Sequence, residues 1–116
     1  MFYCSIEHWN IFKGMLYNEI MKNQPLNLKL VKRAERVFKG GANKNRIRIL
    51  DYISRENITS VWIISQTLDL DFRNTSQHLQ RLEKAGLVEK FHVGPSVYHD
   101  LTPYGQKILE FIKNLK

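Results

Sequence analysis

Arg73, Asn74, Ser76, Gln77 and Gln80 present donor and acceptor groups that suit the edges of nucleic-acid bases, and Arg81 beside them suits a phosphate. They are interleaved with Thr75, Leu79 and Leu82, a spacing that predicts a helix with one buried face. Asp71 can cap its start and Gly86 can supply the left-handed stop, after which Leu87 and Val88 begin an extended segment. A polar helix face is more often only solvated than functional, so the elements around it decide the reading.

Upstream, Thr59-Ser60 offers a hydroxyl cap to a helix whose Val61, Ile64 and Leu68 fall on one stripe. Asp69, Leu70 and Asp71 alone separate the two helices, which is the helix-turn-helix arrangement that presents its second helix to the major groove. Asn45–Ile53 predicts a third, supporting helix, with Leu50 three residues after Ile47 and Ile53 four after Ile49. Leu87–Val93 and Val97–Leu101 are β-prone runs joined by Gly94-Pro95-Ser96, which reads as a hairpin.

Three segments, Asn45-Arg-Ile-Arg-Ile-Leu50, Ser76-Gln-His-Leu-Gln-Arg-Leu-Glu-Lys-Ala-Gly-Leu-Val88 and Leu101-Thr-Pro-Tyr-Gly105, resemble signature segments of ArsR/MarR-type winged helix-turn-helix transcriptional regulators. The similarity runs from Val37 to Leu115 and implies a winged helix-turn-helix, so that the expected fold is mainly α with a small β-hairpin wing, to which the residue spacing adds extra N- and C-terminal helices. It further implies a recognition helix over Asp71–Ala85, a wing tip at Gly94–Ser96, and a homodimer on a pseudo-palindromic operator. The expected function is a double-stranded DNA-binding transcriptional regulator, a dimeric repressor that occludes its operator. Asp69 stands where the family often has glycine, although Asp is among the better substitutes in a left-handed turn. Phe72, at the start of the recognition helix, is expected to pack against the helix before it, the alternative being contact with a thymine methyl. The wing tip has no Arg or Lys, which argues against a strong minor-groove arm. Cys4 is the single cysteine, whereas metal-sensing members use cysteine pairs.

These considerations assign base reading to Arg73, Asn74, Ser76, Gln77 and Gln80. Backbone contact is assigned to Lys44, Arg46, Arg48, Arg81, Lys90 and Ser96. The formal net charge of +7 is uneven: residues 1–44 carry +5, 45–101 are neutral and 102–116 carry +2. Most of the excess gathers in Lys29, Lys32, Arg33, Arg36, Lys39, Lys44, Arg46 and Arg48 against Glu35 alone, a candidate phosphate anchor or a solvated face.

At 116 residues the chain suits one core without disulfides. Residues 1–40 read as a helical extension, 41–101 as the winged core and 102–116 as a final helix opened by Thr102 and Pro103, with Gly40-Gly41 as a flexible break. Ile6, Trp9, Leu16 and Ile20 share one stripe of the extension, Leu28, Val31, Ala34 and Phe38 mark its second helix, and Ile108, Phe111, Ile112 and Leu115 form a stripe on the last. The first and last stripes are expected to build the dimer interface, burial within one chain being the alternative.

No apolar run could span a bilayer, and a lone cysteine fits an intracellular, cytoplasmic protein. His8, His78, His92 and His99 lack the close paired spacing of a zinc motif, and Cys4 lacks an activating motif, so neither metal, cofactor nor catalysis is expected. Trp9, Tyr17 and Trp62 are aromatic candidates for an effector pocket, although such a stripe is more often core. The rival function is a winged helix serving as a protein-interaction module, because a fold does not fix a function.

Overall fold

The computed structural model describes residues 25–56 and 58–115. The chain divides into two compact units, residues 1–32 and 33–116. The stripe of Ile6, Trp9, Leu16 and Ile20 lies outside the described residues, as do Cys4, His8 and Tyr17.

Five helices and one hairpin follow in the described residues: α1 (Leu28–Gly41), α2 (Lys44–Glu56), α3 (Val61–Leu68), α4 (Phe72–Lys84), β1 (Val88–Val93), β2 (Ser96–Leu101) and α5 (Pro103–Lys113). Each helix starts where a short polar side chain takes up a free backbone N–H. Asn27 Oδ1 accepts from Leu30 N at 2.8 Å, and Asn43 Oδ1 accepts from Asn45 N at 2.9 Å. Ser60, not Thr59, caps α3 through Ile63 N, Asp71 caps α4 through Asn74 N, and Thr102 caps α5 through Gly105 N with Pro103 in the first turn. Thr59 instead pairs with His99 of β2 in an isolated antiparallel bridge, which ties the segment before α3 to the wing.

The turns follow the same local chemistry. Asp69 adopts φ +53° at the end of α3, the left-handed conformation expected of this position, and Leu70 N closes onto Ser65 O at 2.8 Å. Gly86 adopts φ +81°, and Leu87 N bonds to Leu82 O at 3.0 Å, so the chain leaves α4 directly into β1. The strands pair antiparallel in the register Val88↔Leu101 to Val93↔Ser96, which leaves Gly94 and Pro95 as the loop. Ser96, read as part of the tip, is thus the first residue of β2.

Ile49, Leu50 and Ile53 of α2 lie fully buried at the centre, where Ile64, Leu79, Leu82, Leu87, Val88, Leu101 and Leu109 close around them. Val37 and Ile108 pack against the edge of this cluster, bringing the end of α1 and the middle of α5 into the same core. Burying each such aliphatic side chain is worth about 1.5–3 kcal/mol.

Gly40-Gly41 is not a flexible break. Both residues belong to the last turn of α1, and Gly40 is buried so closely against α4 that a Cβ there would overlap the Cβ of Ala85. The pair marks close helix contact instead of a hinge, which sequence punctuation by itself does not distinguish.

Candidate nucleic-acid interface

The Asp71 cap and the Thr75 hydroxyl, which donates to Asp71 O at 2.8 Å, anchor the start of α4. From there the helix divides cleanly. Thr75, Leu79 and Leu82 are buried, while Arg73, Asn74, Gln77, Gln80 and Arg81 are exposed and Ser76 is half-buried. Arg73, Gln77 and Gln80 follow one another at four and three residues, so they present guanidinium and amide groups on one exposed face. Exposed Lys84 prolongs the polar side toward the helix end.

Phe72 does not pack away as expected. It is 53 % exposed at the first position of α4, because the Asp71 cap turns the helix so that Thr75 and Leu79, and not Phe72, occupy the inward face. Trp62 and Ile63 of α3 are also exposed, with Trp62 at 62 %.

The basic residues assigned to the backbone separate into two groups. Lys44, Arg81 and Lys90 are exposed, Lys90 on β1, and Ser96 is exposed at the start of β2. Arg48 is exposed as well, but its guanidinium donates to Leu68 O at 3.0 Å and to Asn45 Oδ1 at 3.2 Å, which braces the end of α3. Arg46 departs from its assignment altogether. It is 7 % exposed, and its Nη1 donates to Gly40 O at 2.9 Å and Lys39 O at 3.2 Å. Its Nε donates to His78 Nδ1 of α4 at 3.2 Å. A guanidinium so engaged is a structural cation and leaves the phosphate-contacting set. The sequence signal was ambiguous because Arg46 sits one position before Ile47 in a helix whose buried face only the surrounding helices define.

His78 is half-buried, and its pKa lies below the ordinary histidine value through burial first, then the positive charges of Arg46 and Arg81. His99, on β2, is lowered chiefly by burial and further by Lys90, against opposing influences from Glu83 and the Thr59 backbone bond. Among the described residues, no group of three or more His, Cys, Asp or Glu side chains is placed to share a metal ion, and no helix is long and apolar enough to cross a membrane.

A second surface forms where the end of α1 meets α5. Val37, Phe38, Gly41, Ala42, Ile108, Phe111 and Ile112 line an apolar groove of about 160 Å³. Phe38 and Phe111 are 65 % and 61 % exposed, and Leu115 is exposed beyond them. Of the predicted C-terminal stripe, Phe111 and Leu115 therefore face outward, and Ile108 and Ile112 are half-buried.

Residues 43–90 match the model of the bacterial regulatory protein arsR family. The cadmium resistance transcriptional regulatory protein CadC of Listeria innocua is 32 % identical over 79 residues, covering 68 % of this chain and 57 % of that protein. This chain thus spans little more than half the length of that curated relative. HlyU from Vibrio cholerae superposes with a TM-score of 0.67 at 29 % identity, over 77 % of this chain and 97 % of that one. The homodimeric winged helix-turn-helix DNA-binding domain of Mb0332 from Mycobacterium bovis, a possible ArsR-family transcriptional regulator, superposes with a TM-score of 0.68 at 25 % identity, over 78 % and 85 %. With its tight α3–α4 turn, its polar α4 and its paired wing, the chain carries an ArsR-family winged helix-turn-helix domain.

Proposed function

We propose that the chain is a sequence-specific, double-stranded DNA-binding transcriptional regulator, a cytoplasmic homodimer that represses by occupying its operator. One observation carries this reading: the outward face of α4 is polar from Arg73 to Arg81, on a helix whose inner face is fully buried. Such a helix lies in the major groove with Arg73, Asn74, Ser76, Gln77 and Gln80 toward base edges. Exposed Phe72 adds an apolar contact suited to a thymine methyl. Lys44, Arg48, Arg81, Lys90 and Ser96 then contact the phosphate backbone.

Transcriptional regulation in CadC's name and the homodimeric DNA-binding domain of Mb0332 support the same assignment. The exposed Phe38, Phe111 and Leu115 supply the apolar surface a two-fold partner would cover, setting the recognition helices about 34 Å apart in successive major grooves. Cadmium is not carried over from CadC, since the chain has one cysteine.

The test is binding to duplexes enriched from a random-sequence pool, measured as a function of salt. Gln77→Ala should cost about 1–3 kcal/mol of discrimination at its base pair, and removing Lys90 or Arg81 should shallow the salt slope by about one unit without changing sequence preference. Failure to enrich any sequence would overturn the reading in favour of a protein-docking winged helix, for which exposed Trp62 and Ile63 are the supporting observation.

A further inference from the structure

Arg46 is a buried cation with no carboxylate in salt-bridge reach among the described residues. Its positive charge is met at the negative end of α1, by the carbonyls of Lys39 and Gly40. A buried charge left without close partners is costly, so these bonds hold the guanidinium in one place. Its Nε–H points across to α4 and donates to His78 Nδ1 at 3.2 Å. Beside it, Gly40 and Ala85 bring the backbones of α1 and α4 so close that no side chain fits between them. The last turn of α1 and the recognition helix are therefore seated on each other by two adjoining contacts, one steric and one polar.

We propose that Arg46 and His78 are positioning residues for DNA reading: the guanidinium fixed on α1 sets the seat of α4 through a neutral imidazole, and protonation of that imidazole loosens the seat. This rests on the major-groove reading of α4 given above. An Nδ1 that accepts from Arg46 cannot also carry a proton, and Arg46 does not give up its charge at accessible pH. Protonated His78 would face Arg46 from α2 and Arg81 on its own helix, both cationic, with the carbonyls of α1 already engaged by Arg46. Burial and these two charges already disfavour the protonated form.

The consequence is selective. Hydrogen bonds to base edges depend steeply on distance and angle, so a displaced α4 loses sequence reading. Phosphate contacts by flexible side chains tolerate displacement, and an added positive charge near DNA strengthens them. The quantity that reports the seat is thus the ratio of affinities for a preferred and a scrambled duplex.

The experiment uses the full chain, the duplex enriched from a random pool at about pH 7.5, and a scrambled duplex of equal composition, compared down to about pH 5.5, across the ordinary histidine range. The affinity ratio is expected to fall with acidification, by up to about tenfold for each unit by which the His78 pKa differs between the seated and loosened helix. His78→Gln places a neutral amide oxygen near Arg46 Nε and should keep the preference while flattening its pH profile. His78→Leu removes the acceptor and should lower the ratio at every pH, with binding to the scrambled duplex retained. Nitrogen NMR of the imidazole provides a reading independent of DNA: Nδ1 of His78 should be unprotonated at neutral pH. A wild-type ratio that stays flat, a His78→Gln protein that keeps the wild-type pH profile, or a protonated Nδ1 at neutral pH would each overturn the seat while leaving the major-groove reading in place. Failure to enrich any duplex would overturn both.

Discussion

The last turns of α1 have two sides that differ in kind. Toward α4 the contact is closed: Gly40 lies against Ala85, and Arg46 spans from the carbonyls of Lys39 and Gly40 to His78. Toward α5 the helix opens into a groove whose rim carries two largely exposed phenylalanines, Phe38 and Phe111. The closed side is satisfied within one chain, because Nε and Nη1 of Arg46 both meet acceptors there. The open side leaves apolar area in water, and monomers seldom keep large contiguous patches of that kind. One helix end thus joins a finished contact, against α4, to an unfinished one suited to a second copy.

The sharpest way to break this contrast is on the open side. The double substitution Phe38→Ser with Phe111→Ser should shift sedimentation to the monomer and weaken self-association by more than about a hundredfold, since each buried aromatic is worth about 1.5–3 kcal/mol. Unfolding of the isolated chain should change far less than association does. Equal sedimentation of both proteins would show that the groove is not the interface.

On the closed side the effect should fall on folding. Gly40→Val forces a branched side chain into the Ala85 contact and should cost about 1–3 kcal/mol in urea unfolding. Ala85→Gly in the same chain should recover part of the loss, because it removes the atom that a Cβ at Gly40 meets. A full-cost mutation with no recovery would mean that the two helices do not meet there.

Acid should weaken the closed side more gradually. His78 and His99 have folded-state pKa values below the unfolded value of about 6.5, so the unfolded chain takes up their protons more readily. Unfolding free energy should therefore be level above about pH 6.5 and decline as pH falls through the interval between the unfolded and folded pKa values. Among the described residues no titratable side chain lines the groove, so the apolar contribution of its lining to association should vary little over the same interval. Urea unfolding at several pH values, with His78→Gln on the closed side and His99→Gln on the wing each shrinking the decline, is the check; stability that rises on acidification would contradict both shifts.

The smallest change is expected at Arg55, whose exposed pair with Asp51 at 3.2 Å joins neither side of the contrast. Arg55→Ala should alter stability by no more than about 0.5 kcal/mol, measured by the same unfolding.

Local chemistry was legible from residue types because it acts over a few positions. The Asp71 cap, the left-handed Asp69 and Gly86, the proline-led α5 and the hairpin flanking Gly94-Pro95 all stand where short-range hydrogen bonding and backbone sterics place them. The polar outward face of α4 was equally legible, since helical periodicity sorts Arg73, Gln77 and Gln80 from Leu79 and Leu82. What only the tertiary structure decided is which apparent surface residues are surface. Arg46 and Arg48 look alike in sequence two positions apart, yet one is buried beneath α1 and α4 and the other is exposed. Phe72 is apolar and remains half in water, while Gly40 reads as a break and proves to be a contact. The physical reason is common to all three: burial is set by which element arrives from a distant part of the chain, and local periodicity carries no record of that arrival.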